Sequence, residues 1–326
     1  MSDILRPATE WELKGLLHQV IERQLGVEIM GAGTKRGFGR PVESEIALST
    51  ASLRGITLYE PTELVMSART GTPVSQIEVE LASRNQMLPW EPIDPAAMMG
   101  GQPGTQTIGG VFATNLSGPR RVSAGAARDH ILGCQGINGR GESFKSGGRV
   151  MKNVTGYDVA RGLCGSWGTL AVLTEVTFKV LPMPDDMATL IYSGLTDDVG
   201  AELAATAMTS PYEVSGTAHL SMGLVNRLQL SALSAINRPL TAIRIENFPK
   251  SVQYRKERLK SLLAAYGEPL NLDFEASLKF WGELRRLAIF PKGPPHIWRI
   301  STSPTAAAAL VANIARHMPV ETYYDW

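Results

Sequence analysis

The sequence predicts an α+β protein of about two domains, on three observations. Strand-like runs in the first 185 residues are interrupted by three segments dense in glycine. Near residue 187 the composition changes: glycine becomes sparse, and strand-like runs alternate with helical ones. A chain of 326 residues with 44% apolar content is long enough to bury a large core. The predicted domains are 1–185 and 186–326. The second is expected to continue past Trp326, because the chain stops at "VETYYDW", inside an apolar, strand-like run.

The first element is a helix. Thr9 followed by Glu12 makes a capping box, Leu13, Leu16, Leu17, Val20 and Ile21 recur at helical spacing, and Gly26 closes the run. "VEIM" at 27–30 reads as a short buried strand leading into "GAGTKRGFG". "GITLYE" and "LVMSART", joined through "EPTE", predict a hairpin. Thr72 and Pro73 suit the N-cap and first position of a helix through about Asn85, with Val74, Ile77 and Leu81 on one side. Further on, "DHILGCQGIN" and "TLAVLTEVTFKVLPMP" read as strands, the second alternating Val176, Phe178 and Val180 with Thr177 and Lys179. In the second domain, strands at 188–193, 241–247 and 296–301 and helices at 249–266, 276–287 and 304–317 predict an antiparallel sheet with helices on one face.

Charge and cysteine content narrow the function classes. Lys plus Arg total 32 against 31 for Asp plus Glu, so neither a basic face for nucleic acid nor an acidic tail is expected. The partner expected by default is a small molecule or another protein. No apolar run approaches membrane-spanning length, and the N-terminus lacks the pattern of a secretory signal. Cys134 and Cys164 stand apart, with no disulfide framework or zinc spacing, which fits a reducing cytoplasm and two small buried residues.

The glycine-rich segments carry the functional signal. "MGAGTKRGFG" leaves a strand and offers successive backbone N–H groups, the Thr34 hydroxyl, Lys35 and Arg36, a concavity that suits a pyrophosphate. Its glycines at 31, 33, 37 and 39 follow neither the G-x-G-x-x-G nor the Walker spacing, and a plain surface turn is the competing reading. The second segment, "GGQPGTQTIGGVFATNLSGPRR" at 100–121, has six glycines and no carboxylate, histidine or cysteine, so it is built for close backbone approach rather than acid–base chemistry. The third spans 150–176, "VMKNVTGYDVARGLCGSWGTLAVLTEV".

Together and in this order the three segments resemble the FAD-linked oxidases, the vanillyl-alcohol-oxidase or para-cresol-methylhydroxylase (PCMH) type, over about residues 5 to 183. The resemblance implies a PCMH-type FAD-binding domain of two α/β subdomains followed by an α+β cap domain with an antiparallel sheet. It implies FAD contacts from Gly31, Ala32, Gly33, Thr34 and Lys35 in the first loop. Gly104, Thr105, Thr107, Ile108, Gly109, Gly110, Thr114, Asn115 and Gly118 are implied in the second. Gly125, Arg128 and Val172 follow, the last through its backbone at the adenine. His130 and Cys134 are the candidates for a covalent flavin link near the pocket; packing at a strand start is the alternative for His130, and FAD is expected to be non-covalent.

More narrowly, "GRPV", "PTELV", "ARTGTP", "SGPRR", "RDHILG" and "VMKNVTGYD" resemble the E-subunit branch found in bacterial glycolate oxidases (glycolate dehydrogenases). That branch implies a heteromeric complex with a larger FAD-containing subunit and an iron–sulfur subunit, in the cytoplasm or held at the inner membrane through the complex, and a small hydroxy-acid substrate at the level of the complex. Histidines 18, 130, 219, 296 and 317 form no H-x-H or H-G-D cluster, so no metal site is expected and no general base stands out. Arg120 and Lys152 are the candidate cations on the substrate side, each equally readable as a surface charge or a cofactor-phosphate contact. Three readings stay open: a redox subunit of a complex, a stand-alone hydroxy-acid or sugar oxidoreductase, and a structural subunit with a vestigial pocket.

Overall fold

The computed structural model describes residues 4–148, 156–291 and 296–325. The chain forms two compact units, residues 1–117 with 125–183 and residues 118–124 with 184–326.

In the first unit, strands β1 (Ile4–Leu5), β2 (Val27–Met30) and β3 (Ile46–Ser49) form a parallel sheet in the order β1-β3-β2. Helix α1 (Glu10–Glu22) is capped as its sequence predicts: the Glu12 amide donates to Thr9 Oγ1 at 3.1 Å, and the Glu12 carboxylate accepts from the Ala8 amide. Its Leu13 and Leu17 pack with Leu48, Leu53, Ile137 and Val172. Strands β4 (Ile56–Glu60) and β5 (Val65–Arg69) make the predicted hairpin. Helix α2 (Val74–Ala82) starts one residue later than predicted, with Pro73 at the cap. The Thr72 hydroxyl, expected there, instead donates to the Arg69 carbonyl and accepts from the Gly55 amide, tying the turn to the hairpin. Strand β6 (Gln86–Met87) follows, then helix α3 (Ile108–Thr114) inside the second glycine-rich segment.

Helix α4 (Arg121–Ala124) lies in the stretch that groups with the second unit; α5 (Ala127–His130) returns to the first. Strands β7 (Ile131–Asn138), β8 (Ser143–Gly147) and β9 (Ala171–Lys179), with α6 (Val159–Leu163) between the last two, complete a five-stranded antiparallel sheet of order β4-β5-β9-β7-β8, and β10 (Leu181–Pro182) pairs with β6. Its core joins Met66, Ile77, Leu81 and Phe178 to Trp90, Ile108, Val111 and Phe112.

The second unit is a sheet of β11 (Asp186–Ser193), β12 (Val214–Leu220), β13 (Leu240–Asn247), β14 (Leu270–Leu272) and β15 (Tyr323–Asp325), in the order β14-β11-β13-β12-β15. Neighbouring strands in this sheet run antiparallel. The helices are α7 (Asp197–Met208), α8 (Met222–Val225), α9 (Pro249–Leu262), α10 (Phe274–Arg285) and α11 (Pro304–Ala315).

Two expectations change here. The helices cover both faces of the sheet: Leu190, Tyr192, Ile243 and Ile245 pack with α7 and α9 through Leu203, Ala207 and Leu259, whereas Met187, Ile191, Leu240 and Ala242 pack with Phe280, Trp281 and Leu284 of α10. The strands are apolar at both parities, and one helical layer would leave half of those side chains in water. Residues 296–301 form no strand; they are exposed and outside any ladder, because apolar side chains at Ile297, Trp298 and Ile300 do not make a strand without a neighbouring edge to pair with. Among the described residues no helix is long and apolar enough to cross a membrane.

Candidate functional site

Helix α3 organises the candidate site. The sequence reading gives this stretch close backbone approach and no helix, and Gly109, Gly110 and Thr114 are weak helix formers. Thr107 supplies the start signal that was overlooked: its hydroxyl accepts from the Gly110 amide at 3.3 Å, and Ile108, Val111 and Phe112 then fall on one buried face. That face is clamped by aromatic packing. Phe112 lies 5.3 Å from Trp90 and 5.6 Å from Phe178 between ring centres, and full burial of such side chains stabilises the helix position by about 1.5–3 kcal/mol each. Gly109 sits where a Cβ would approach Thr70 Cβ to 2.4 Å, so its amide can reach the Thr70 carbonyl at 2.9 Å.

The opposite face of α3 is half-exposed and consists of Gly110, Ala113 and Thr114, spaced at one helical turn. Surface helices ordinarily carry long polar side chains on such a face. Here nothing larger than threonine projects.

At the N-terminal end of α3 the first glycine-rich loop closes in. A Cβ at Gly31 would stand 2.2 Å from Thr107 Oγ1, and the Gly31 carbonyl accepts from Ser49 Oγ at 2.8 Å. Gly33 takes φ +76°, which favours glycine, and Ala32 is exposed on the loop. Lys35 Nζ donates to Gln106 Oε1 at 3.0 Å and lies 3.5 Å from Thr34 Oγ1. Burial pushes the Lys35 ammonium down to about 8, with Asp94 pulling it back up. Asp94 also accepts from the Gly104 amide at 2.7 Å, and the Thr105 hydroxyl donates to the Gln102 carbonyl.

At the other end, Asn115 ends the helix in the left-handed region, φ 52°, which asparagine tolerates. Its Oδ1 accepts from the Arg128 amide at 2.9 Å and faces Cys164 Sγ at 3.7 Å, while the Thr114 hydroxyl donates to the Gly110 carbonyl. Gly125, φ +87°, starts the turn that delivers Arg128. The third segment reaches the same end: the Gly165 amide donates to the Phe112 carbonyl and the Trp167 amide to Ala113. Val172 is buried in the α1 cluster.

Parts of all three glycine-rich segments therefore meet along α3, although they lie far apart in the sequence. Gly118 and Arg120 group with the second unit, where Arg120 makes a bidentate pair with Glu246 at 2.5 and 3.0 Å. Lys152 lies outside the described residues, as do Asn153 and Thr155. Tyr157 is 92% exposed. His130 is buried with its ring 5.3 Å from that of Trp90. Sequence reasoning missed Gln106, Asp94 and Cys164; only the partners that the fold brings to them mark them.

The sequence model of a family described as "FAD binding domain" matches residues 2–147. Glycolate oxidase subunit GlcE of Escherichia coli (strain K12) is 35% identical over 311 residues, covering 95% of this chain and 76% of that protein. The chain belongs to the FAD-linked oxidase family. Another relative, D-lactate dehydrogenase of Archaeoglobus fulgidus, is 31% identical over 195 residues, 57% of this chain and 40% of that one. The fold matches solved p-cresol methylhydroxylase with a TM-score of 0.67 at 11% identity, over 88% of this chain and 63% of that one. Alkyldihydroxyacetonephosphate synthase matches with 0.65 at 16% identity, over 86% and 54%. Apart from the glycolate oxidase subunit, the chain thus spans less than two thirds of each of these proteins.

As an FAD-linked oxidase the chain takes FAD as cofactor, and it is an oxidoreductase by family. The α3 surroundings fit that group: small residues for the approach of a flat ring, Lys35 for the pyrophosphate, and hydroxyl and amide groups for the sugar chain. The Lys35 ammonium is mostly charged at pH 7 and loses its charge as pH rises through about 8. FAD affinity is therefore expected to weaken between pH 7 and 9. In Lys35→Met it should be weaker by about tenfold at pH 7 and flat across that range, as titration with FAD would show.

Proposed function

We propose that this chain is the FAD-binding subunit of a heteromeric glycolate dehydrogenase, relaying electrons between a larger FAD-containing subunit and an iron–sulfur subunit. The observation that carries this reading is the similarity to an E subunit over 95% of the chain. A D subunit, from Bacillus subtilis, is a more distant relative at 28% identity over 58% of the chain. FAD, when bound, supplies a two-electron acceptor. The chain's own residues grip and orient it: the 31–35 loop and Lys35 hold its pyrophosphate, the Gly110–Ala113–Thr114 face sets the distance of the ring, and Asn115, fixed by Arg128 and Cys164, presents its amide at the end of that face.

The cofactor is held without a covalent bond. His130 is packed against Trp90, and burial pushes the Cys134 thiol up to about 11, which disfavours the thiolate a covalent link needs. In the second unit His219 is also committed: its ring bonds Thr241 at 2.8 Å and Asp197 at 3.2 Å. Proton abstraction from the hydroxy acid accordingly falls to the larger subunit, and the complex works in the cytoplasm or at the inner membrane through its partners.

The test is dye reduction with glycolate. The purified chain should bind FAD yet reduce no dye, and co-expression with the two other subunits should restore turnover. Turnover by the chain alone at the rate of the complex would favour the stand-alone 2-hydroxy-acid oxidoreductase that the similarity to D-lactate dehydrogenase suggests.

A further inference from the structure

Between α10 and β15 the second unit carries a stretch with no core of its own. Residues 296–303 are exposed and outside any ladder, and α11, packed along α7, contains no buried residue. Trp298 is 83% exposed, Ile300 52% and Met318 57%, with Ile297 and Val320 also open to solvent. A surface helix ordinarily turns charged side chains to water. The sequence of α11, PTAAAALVANIA, has none, and its Leu310, Val311 and Ile314 are only half-buried. Single exposed apolar residues are ordinary, but this many along one stretch of chain mark an interaction surface.

Charge narrows what covers it. Residues 296–320 hold Arg299, Arg316, His296 and His317 and no carboxylate. The carboxylates that follow are engaged elsewhere: Glu321 pairs with Arg227 at 2.6 Å and Asp325 with Arg121 at 3.2 Å. A second copy of the same face would bring guanidiniums together in a desolvated interface with no opposite charge from the stretch itself. A lipid surface would accept the cations, yet it offers nothing to the backbone N–H and C=O groups of 296–303, which lie outside any ladder. A protein surface supplies both. Tryptophan and arginine side by side, as Trp298 and Arg299 are, belong to the residue types that dominate binding energy at protein interfaces.

We propose that residues 296–320 are the docking surface of this chain for another protein subunit, one that presents an apolar patch rimmed by carboxylates. The inference rests on the chain working inside a heteromeric complex.

Co-expression of the full chain with the larger FAD-containing subunit and the iron–sulfur subunit, followed by affinity recovery of the chain, tests it. Trp298→Asp and Ile300→Asp should each lower the recovered partner subunits at least about tenfold, while Trp298→Phe retains most of them. Arg299→Glu should lose more than Arg299→Gln, as an acidic partner requires. Because the altered side chains are exposed, Tm and FAD affinity of each variant chain alone should match wild type, which separates loss of docking from loss of structure. Full recovery of both partners with Trp298→Asp, or equal loss in the two Arg299 variants, overturns the inference alone. So does a wild-type chain that by itself forms dimers, or sediments with phosphatidylglycerol vesicles, in a manner that Trp298→Asp abolishes. A wild-type chain that recovers neither subunit overturns it together with the heteromeric reading.

Discussion

Glu246→Gln is expected to destabilise the second unit by about 3–5 kcal/mol, the range for removing one partner of a buried ion pair. The carboxylate stands between two guanidiniums. Arg120 grips it through Nε and Nη2, and Arg244 approaches to 3.4 Å while lying 4.4 Å over the Trp281 ring and donating to Ser215 Oγ at 3.0 Å. Arg244 is fully buried and Arg120 nearly so. Burial alone would raise the Glu246 carboxyl, but Arg244 and Arg120 outweigh it and hold it at about 2. Glutamine keeps the shape and removes the negative charge that stands between the two guanidiniums.

The sign of the pH effect follows from that depression. Stability from this carboxylate is fully present above the ordinary carboxylate range and is lost as pH falls through about 2. Urea unfolding followed by tryptophan fluorescence should show wild type losing stability between about pH 5 and 2, with the variant less stable at pH 7 and flatter over the same interval. Equal stability of the two proteins at pH 7 would show that the cluster does not hold the unit together.

The same cluster shows where sequence reading stops. Arg120 looked like a substrate-side cation because it follows the flavin-lining segment, yet its partner is 126 positions away, and nothing local to "SGPRR" announces Glu246. Elements with strong local signals were legible: the Thr9–Glu12 capping box, the hairpin of β4 and β5, and the alternation in β9. Elements made by tertiary context were not. Strand β3 has no period of its own and exists because β1 and β2 flank it in the parallel sheet. "IWRIS" has the right composition for a strand and finds no edge.

For the site, the three glycine-rich segments and their order were readable, because close backbone approach leaves its mark in residue type. Their meeting along α3 was not, since a Gly- and Thr-rich helix is set by its packing on Trp90 and Phe178 rather than by propensity.

Gly109 and Gly110, adjacent in sequence, separate the two roles of α3. A side chain at Gly109 would collide with Thr70, so substitution there damages the fold itself. At Gly110 an added Cβ meets Thr107 Oγ1 at 3.3 Å and Lys35 Nζ at 3.9 Å, contacts that a small hydroxyl shift relieves, and the rest of the side chain projects over the half-exposed face. Leucine there also improves helix propensity by about 0.8 kcal/mol. The decisive measurement is FAD binding by Gly110→Leu alongside its unfolding curve. The expected result is a protein as stable as wild type whose Kd for FAD has risen at least about a hundredfold, a binding loss of roughly 2.7 kcal/mol or more. A stable Gly110→Leu protein that still binds FAD with wild-type affinity would contradict the placement of the cofactor along α3.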